Sequence, residues 1–312
     1  MQRYQQQLRI IPLRQALTLL ELLVVCAILG ILVGLTLITV NMVSHSAKVS
    51  KTRATIQKLD TAMMQIFESY ESRFAAVKRR VADEYPELTE AERQRIAAHI
   101  IRDIMRMEMP QCWEEVLNTS TLVPHGPIGI VGEPPSYLAW AENLAEYQRA
   151  SALLRFYFNA YFETGVRPPE QATLLFLIIK NLNPEALSAF HGSEVGDPDN
   201  NGLLMFVDAW GKPIRFLRWA PGFTDSSDLM HREIPDPTDE RAGAEGWLLY
   251  PLIYSAGPDG IYGIQEGSAI IGTTGINEGI LDPFALLRGQ PEPPGSQRHL
   301  DNIHNHQRHR SF

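Results

Sequence analysis

Apolar positions are spread very unevenly along this chain. From Leu17 to Val40 they run almost without a break, and between Leu22 and Val40 there is no charge at all. About 20 apolar residues suffice to cross a hydrocarbon core of about 30 Å, so residues 17–43 are expected to form a transmembrane helix. A secretory signal has a shorter apolar core with a small-residue cleavage site after it. Here Val40-Asn41-Met42-Val43-Ser44-His45 passes straight into a helical pattern instead. Beyond it Val49, Ile56, Leu59, Met63, Ile66, Phe67, Tyr70, Phe74 and Val77 recur at helical spacing, one stripe of an amphipathic stalk over residues 44–82. Neither Gly nor Pro intervenes between Leu35 and Tyr85, so the two segments read as one helix about 95 Å long.

Pro86 breaks the stalk, and residues 83–192 then read as a helical insertion. Thr89-Glu90-Ala91-Glu92 is a capping box that opens a second helix, with Ile96, Ile100, Ile101, Ile104 and Met105 on one face and Pro110 beyond its end. A Gly- and Pro-rich stretch from Asn118 to Ser136 reads as a loop. Tyr137–Phe162 and Glu170–Leu182 read as further helices; the run Leu174–Ile179 is too short to span a membrane and is expected in the core. Over residues 193–288 the pattern turns to short apolar runs bounded by Gly, Pro and Asp. Leu203–Val207, Pro213–Trp219 and Trp247–Tyr254 are expected as strands of a small antiparallel sheet. Thr224–Gly246 is acidic and reads as an exposed loop. Residues 289–312 are polar, with His299, His304, His306 and His309, and read as a disordered, solvated tail. The expected fold is therefore α+β, with a long N-terminal helix, a helical insertion and a small C-terminal sheet.

Charge narrows the function. The net charge is −8. Residues 1–16 form a basic leader holding Arg3, Arg9 and Arg14 and no acid; without it, 25 basic residues face 36 acidic ones and the net charge is −11. Such a chain lacks the basic footprint that nucleic acid requires. Cys26 and Cys112 lie in unrelated segments, which offers neither a disulfide framework nor a metal-type spacing. There is no nucleophile elbow, zincin helix, Walker loop or dinucleotide fingerprint, so an enzyme is not expected. Counting basic residues on either side of the apolar run gives nearly a tie and leaves its orientation open.

One residue does not fit a plain anchor. Glu21 places a carboxylate near the start of the apolar run, where a charge is costly and marks a functional site. With Ala16-Leu17-Thr18-Leu19-Leu20-Glu21-Leu22-Leu23-Val24-Val25 around it, the segment resembles the processing and methylation site of type IV pilins and type II secretion pseudopilins. Ala16 stands where that family usually has Gly, and Leu17 where it usually has Phe. The resemblance implies a pilin-like fold and cleavage between Ala16 and Leu17 by prepilin peptidase on the cytoplasmic side. It also implies methylation of the new Leu17 amine and single-pass insertion in the inner membrane, with the C-terminal region periplasmic. Glu21 would then neutralise the amino terminus of a neighbouring subunit, and the implied partners are other pilin or pseudopilin subunits and an inner-membrane assembly platform. A monomeric membrane-anchored domain that binds calcium or a partner is the alternative.

Two oxygen-rich loops are candidate calcium sites. Asp208-Ala209-Trp210-Gly211-Lys212-Pro213 and then Tyr254-Ser255-Ala256-Gly257-Pro258-Asp259-Gly260 are similar to the C-terminal signature of the type II secretion major pseudopilin, type II secretion protein G. That resemblance implies calcium at Ser255 and Asp259; the same residues are also consistent with a simple turn. Asp197-Pro198-Asp199-Asn200-Asn201-Gly202 follows an EF-hand loop pattern. Asp197, Asp199 and Asn201 would give side-chain oxygens, Leu203 its carbonyl, and Asp208 falls at the twelfth position. An Asn/Asp/Gly turn without metal is the other reading.

Overall fold

The computed structural model describes residues 19–117, 140–163, 170–220, 223, 250–265, 291–292 and 297–306. The expected leader, the Gly/Pro-rich loop and the acidic loop at 224–246 lie outside the described residues. The fold is α+β and mostly helical, with a long N-terminal helix, further helices and small antiparallel sheets, consistent with a pilin-like fold. Helix α1 runs Leu19–Glu84 and stops where Pro86 disfavours a helical Tyr85. The chain divides into two units, Met1–Ala47 and Lys48–Phe312, so the division falls within α1, close to the expected end of the membrane segment.

In the first unit the apolar side chains of α1 stand open, Leu19 at 82%, Leu20 at 71% and Ile31 at 64% exposure. Among the described residues no helix is long and apolar enough to cross a membrane; the unbroken stretch of described side chains there runs only from Leu19 to Leu35. In the second unit the stalk half of α1 buries Ile56, Leu59, Met63, Ile66, Tyr70 and Val77, the expected stripe. It also buries Thr52 and Thr55, which the apolar pattern leaves out. Each is held by a distant polar partner: Thr52 accepts from the Ala209 N–H at 3.1 Å, and Thr55 donates to Glu194 at 2.5 Å.

Helix α2, Glu90–Glu108, opens on the expected reciprocal cap, Thr89 N–H to Glu92 at 2.8 Å and Glu92 N–H to Thr89 at 3.4 Å. Helix α3 is Trp113–Leu117. Helix α4 runs Ala145–Glu163; ahead of it Trp140 and Ala141 are helical, and Asn143 and Leu144 bond back to them in a tight turn that interrupts the expected helix. It packs on α2 and α3. Helix α5, Glu170–Leu182, places Leu174–Ile179 wholly in the core, against the strands described next.

The expected strands form, though shorter, in two small sheets rather than one. β1 (Val195–Gly196) pairs antiparallel with β2 (Met205–Phe206), Val195 opposite Phe206. β3 (Arg215–Leu217) pairs with β4 (Leu252–Ser255), Phe216 opposite Ile253. A further strand corrects the reading of the tail. β5 (Ile303–His304) completes the second sheet beside β4, with Tyr254 opposite His304. Ile303 and His304 are buried, and the Asn305 amide donates to Asp60 on the stalk and to the Pro251 carbonyl. Polar composition misleads here because the segment orders through hydrogen bonds to backbone and stalk rather than through an apolar core of its own.

Burial of charge on α2 has a measurable consequence. Asp103 is buried, and desolvation pushes its carboxyl up to about 6 even though Arg106 and Arg102 pull it down. A carboxyl raised in the folded state helps stability below its unfolded value near 4, and that contribution is lost as pH rises towards 6. The stability of Asp103→Asn relative to the parent is therefore expected to rise as the pH goes from about 4 to above 6, because only the parent must ionise a buried carboxyl over that range. Urea titrations of both proteins across that range check it; an equal stability at every pH would contradict it.

Candidate functional site

Two regions hold the residues singled out by the sequence. In the first, Ala16 and Leu17 lie outside the described residues, and Glu21 sits in the opening turn of α1. Its side chain is exposed and surrounded by exposed Leu20, Leu22 and Leu23. The arrangement is a single negative charge on an apolar cylinder, close to the position where a new amino terminus would be made. It can pair with one cation, and in an apolar surrounding that pairing is strong and specific in register.

In the second region the structure brings together residues that the sequence had assigned to separate loops. The carboxylate of Asp208, 3% exposed, accepts from the Trp210 and Lys212 N–H groups at 2.8 and 2.9 Å on one oxygen. Its other oxygen accepts from the Ser255 hydroxyl at 2.6 Å. Ser255 in turn accepts from the Gly257 N–H at 3.1 Å. Asp208 is thus the closing residue of its own turn, with Gly211 at φ +79°, and the anchor of β4. It does not join the loop at Asp197. That loop closes on itself: Asp197 accepts from the Asn201 and Gly202 N–H groups at 3.1 and 2.8 Å, and Asn201 accepts from the Leu203 N–H at 2.8 Å. Among the described residues Asp199 makes no contact that joins these groups to a common centre. Asp197, Asn201 and Asp208 each accept hydrogen bonds from the chain's own donors.

The second loop has a partner the sequence did not reveal. The Asp259 N–H donates to Asp301 at 3.4 Å, and partial burial followed by the Asp259 charge raises the Asp301 carboxyl. Asp259 also accepts from the Ile261 N–H at 2.7 Å. At Gly257, φ +67°, any Cβ would collide with the Asp301 carbonyl, so the tail lies directly on this loop. Nothing local marks Asp301; it is one acid in a polar tail and is placed by β5. Among the described residues no three His, Cys, Asp or Glu side chains converge as a metal group. Calcium takes six to eight oxygens. Asp259 and Asp301 would be two of them, with carbonyls as the other available donors.

Two charged centres in the second unit also escaped the sequence reading. Glu194 is buried and receives Thr55, Lys58 at 2.8 Å and the His191 N–H. Burial opposes its ionisation, but those hydrogen bonds outweigh burial and hold the carboxyl below its ordinary value. Arg218, fully buried on the strand side, forms a fork with Glu115 at 2.8 and 3.1 Å. Two arginines, Arg215 and Arg218, interrupt the otherwise apolar run Pro213–Trp219 and were the available signal.

Residues 12–37 match the prokaryotic N-terminal methylation motif. Neither a curated protein nor a solved structure is similar enough to the chain to count as a match. The chain therefore carries a pilin-type maturation signal, the mark of a prepilin-like, membrane-associated protein. Such a signal implies processing by prepilin peptidase and assembly with other pilin subunits in general.

Proposed function

We propose that this chain is a structural subunit, a pseudopilin of a type II secretion or type IV pilus-type assembly, and not an enzyme. Prepilin peptidase cuts between Ala16 and Leu17, the apolar half of α1 holds the subunit across the inner membrane, and the second unit stands on the far side. An inner-membrane platform then draws subunits into a polymer through their N-terminal helices. The observation that carries this reading is Glu21, a carboxylate in the first turn of an exposed apolar helix and inside the matched methylation motif. In low dielectric its attraction to the Leu17 amine of a neighbour offsets desolvation only when the two meet, which fixes axial register. Formaldehyde cross-linking of cells is expected to give a ladder of oligomers when a prepilin peptidase is co-expressed and monomer when it is withheld. Monomer under both conditions would favour a membrane-anchored domain that acts alone.

Calcium belongs to the same reading as a stabiliser of the second unit, held by Asp259 and Asp301. The full chain in detergent is expected to melt several degrees higher in millimolar calcium than in a chelator, and Asp259→Asn should remove most of that difference. Equal melting in calcium and chelator would dismiss the ion.

A further inference from the structure

A cleft of about 590 Å³ opens in the second unit between the stalk, the end of α2, α4 and the end of α5. Its size is ordinary for a binding site. Its charges are nearly all answered within the chain. Arg73 forks onto Glu108 at 2.7 and 2.9 Å, and Glu108 also accepts from Tyr70 at 2.7 Å. Glu146 accepts from Arg80 at 2.7 Å. Arg149, one turn along α4 from Glu146, is exposed and makes no hydrogen bond or ion pair among the described residues. The cleft therefore presents a single uncompensated positive charge. Beside it lie the apolar side chains of Ile66, Leu153 and Leu182.

The apolar side continues past the cleft. Arg149, Leu153 and Phe156 follow at steps that place them along one face of α4, and Phe156 is 42% exposed. Arg149 and Phe156 are two turns apart, about 10 Å along the helix. An extended peptide covers that distance in about three residues. We propose that this cleft docks an extended segment of a partner protein in which one carboxylate lies about three residues before an apolar side chain. The carboxylate meets the Arg149 guanidinium in the fork geometry that arginine offers. The apolar side chain settles between Leu153 and Phe156. This inference does not depend on polymerisation, since every residue it uses lies in the second unit.

The test uses the full chain in detergent micelles and a labelled, acetylated and amidated peptide with one glutamate followed three residues later by leucine. Fluorescence anisotropy is expected to show saturable binding. Arg149→Glu, and separately glutamate to glutamine in the peptide, should each weaken it by at least about tenfold. Arg149→Lys should retain part of the binding, and its melting temperature should match the parent's, because Arg149 is exposed and makes no hydrogen bond or ion pair among the described residues. Binding that never saturates, or that is unchanged by Arg149→Glu, overturns the proposal. So does competition by N-acetylglycine at the peptide's own affinity, which would make the cleft a site for small carboxylates.

Discussion

Glu115→Ala is expected to destabilise the second unit by about 3–5 kcal/mol, the range for breaking a buried ion pair from one side. Arg218 is fully buried, and its guanidinium forks onto Glu115 while also donating to the Met109 carbonyl at 2.6 Å. The Arg218 N–H donates to Gln111 at 3.0 Å, and the Gln111 N–H donates back to Glu115 at 2.9 Å. The pair therefore joins α3 to the residue that follows β3, where insertion and sheet meet. Removing Glu115 leaves a fully buried guanidinium without its carboxylate. Against a typical domain stability of about 5–15 kcal/mol, that loss is a large share. The double variant Glu115→Leu with Arg218→Met should cost much less, because it removes both charges and fills the space. Urea unfolding of the three proteins checks this; a single variant as stable as the parent would show that the pair does not bear on the fold.

The second large effect concerns assembly and not stability. Glu21→Ala is expected to abolish the cross-linked ladder while the protein still fractionates with membranes. Glu21 lies in the first unit and makes no part of the core of the second, so its removal leaves melting unchanged. Alanine also makes the helix more apolar, which favours insertion. Glu21→Asp should recover some assembly, since the charge remains and only its reach is shortened. Quantitative cross-linking, normalised to membrane-bound protein, separates the three. Ladder formation by Glu21→Ala at the parental level would remove the pairing from the account.

Features set by local chemistry were legible in the sequence. Helix α1 follows from unbroken periodicity, α2 from the Thr89–Glu92 cap, and α5 from the apolar run after Pro168-Pro169. The methylation motif was legible for the same reason, because it is contiguous. What escaped is set by distant partners. Strands of two or three residues have too little pattern of their own, and β5 exists only because β4 and Asp60 receive it. Thr52 and Thr55 look like solvent-facing positions until Ala209 and Glu194 arrive from far along the chain. The Asp208–Ser255 bond joins two signature segments whose residues had been placed in different candidate sites, and Asp301 enters beside Asp259 from the tail.

The central claim is that the chain is matured as a prepilin, and the mature N-terminus tests it most directly. Mass spectrometry of the protein from membranes of cells with and without prepilin peptidase should find a chain beginning at methylated Leu17 only when the peptidase is present. That result would place a charged amine four residues ahead of Glu21. A chain that still begins at Met1 in the presence of the peptidase would contradict the account, because the retained arginine-rich leader would keep any neighbour's amine away from Glu21.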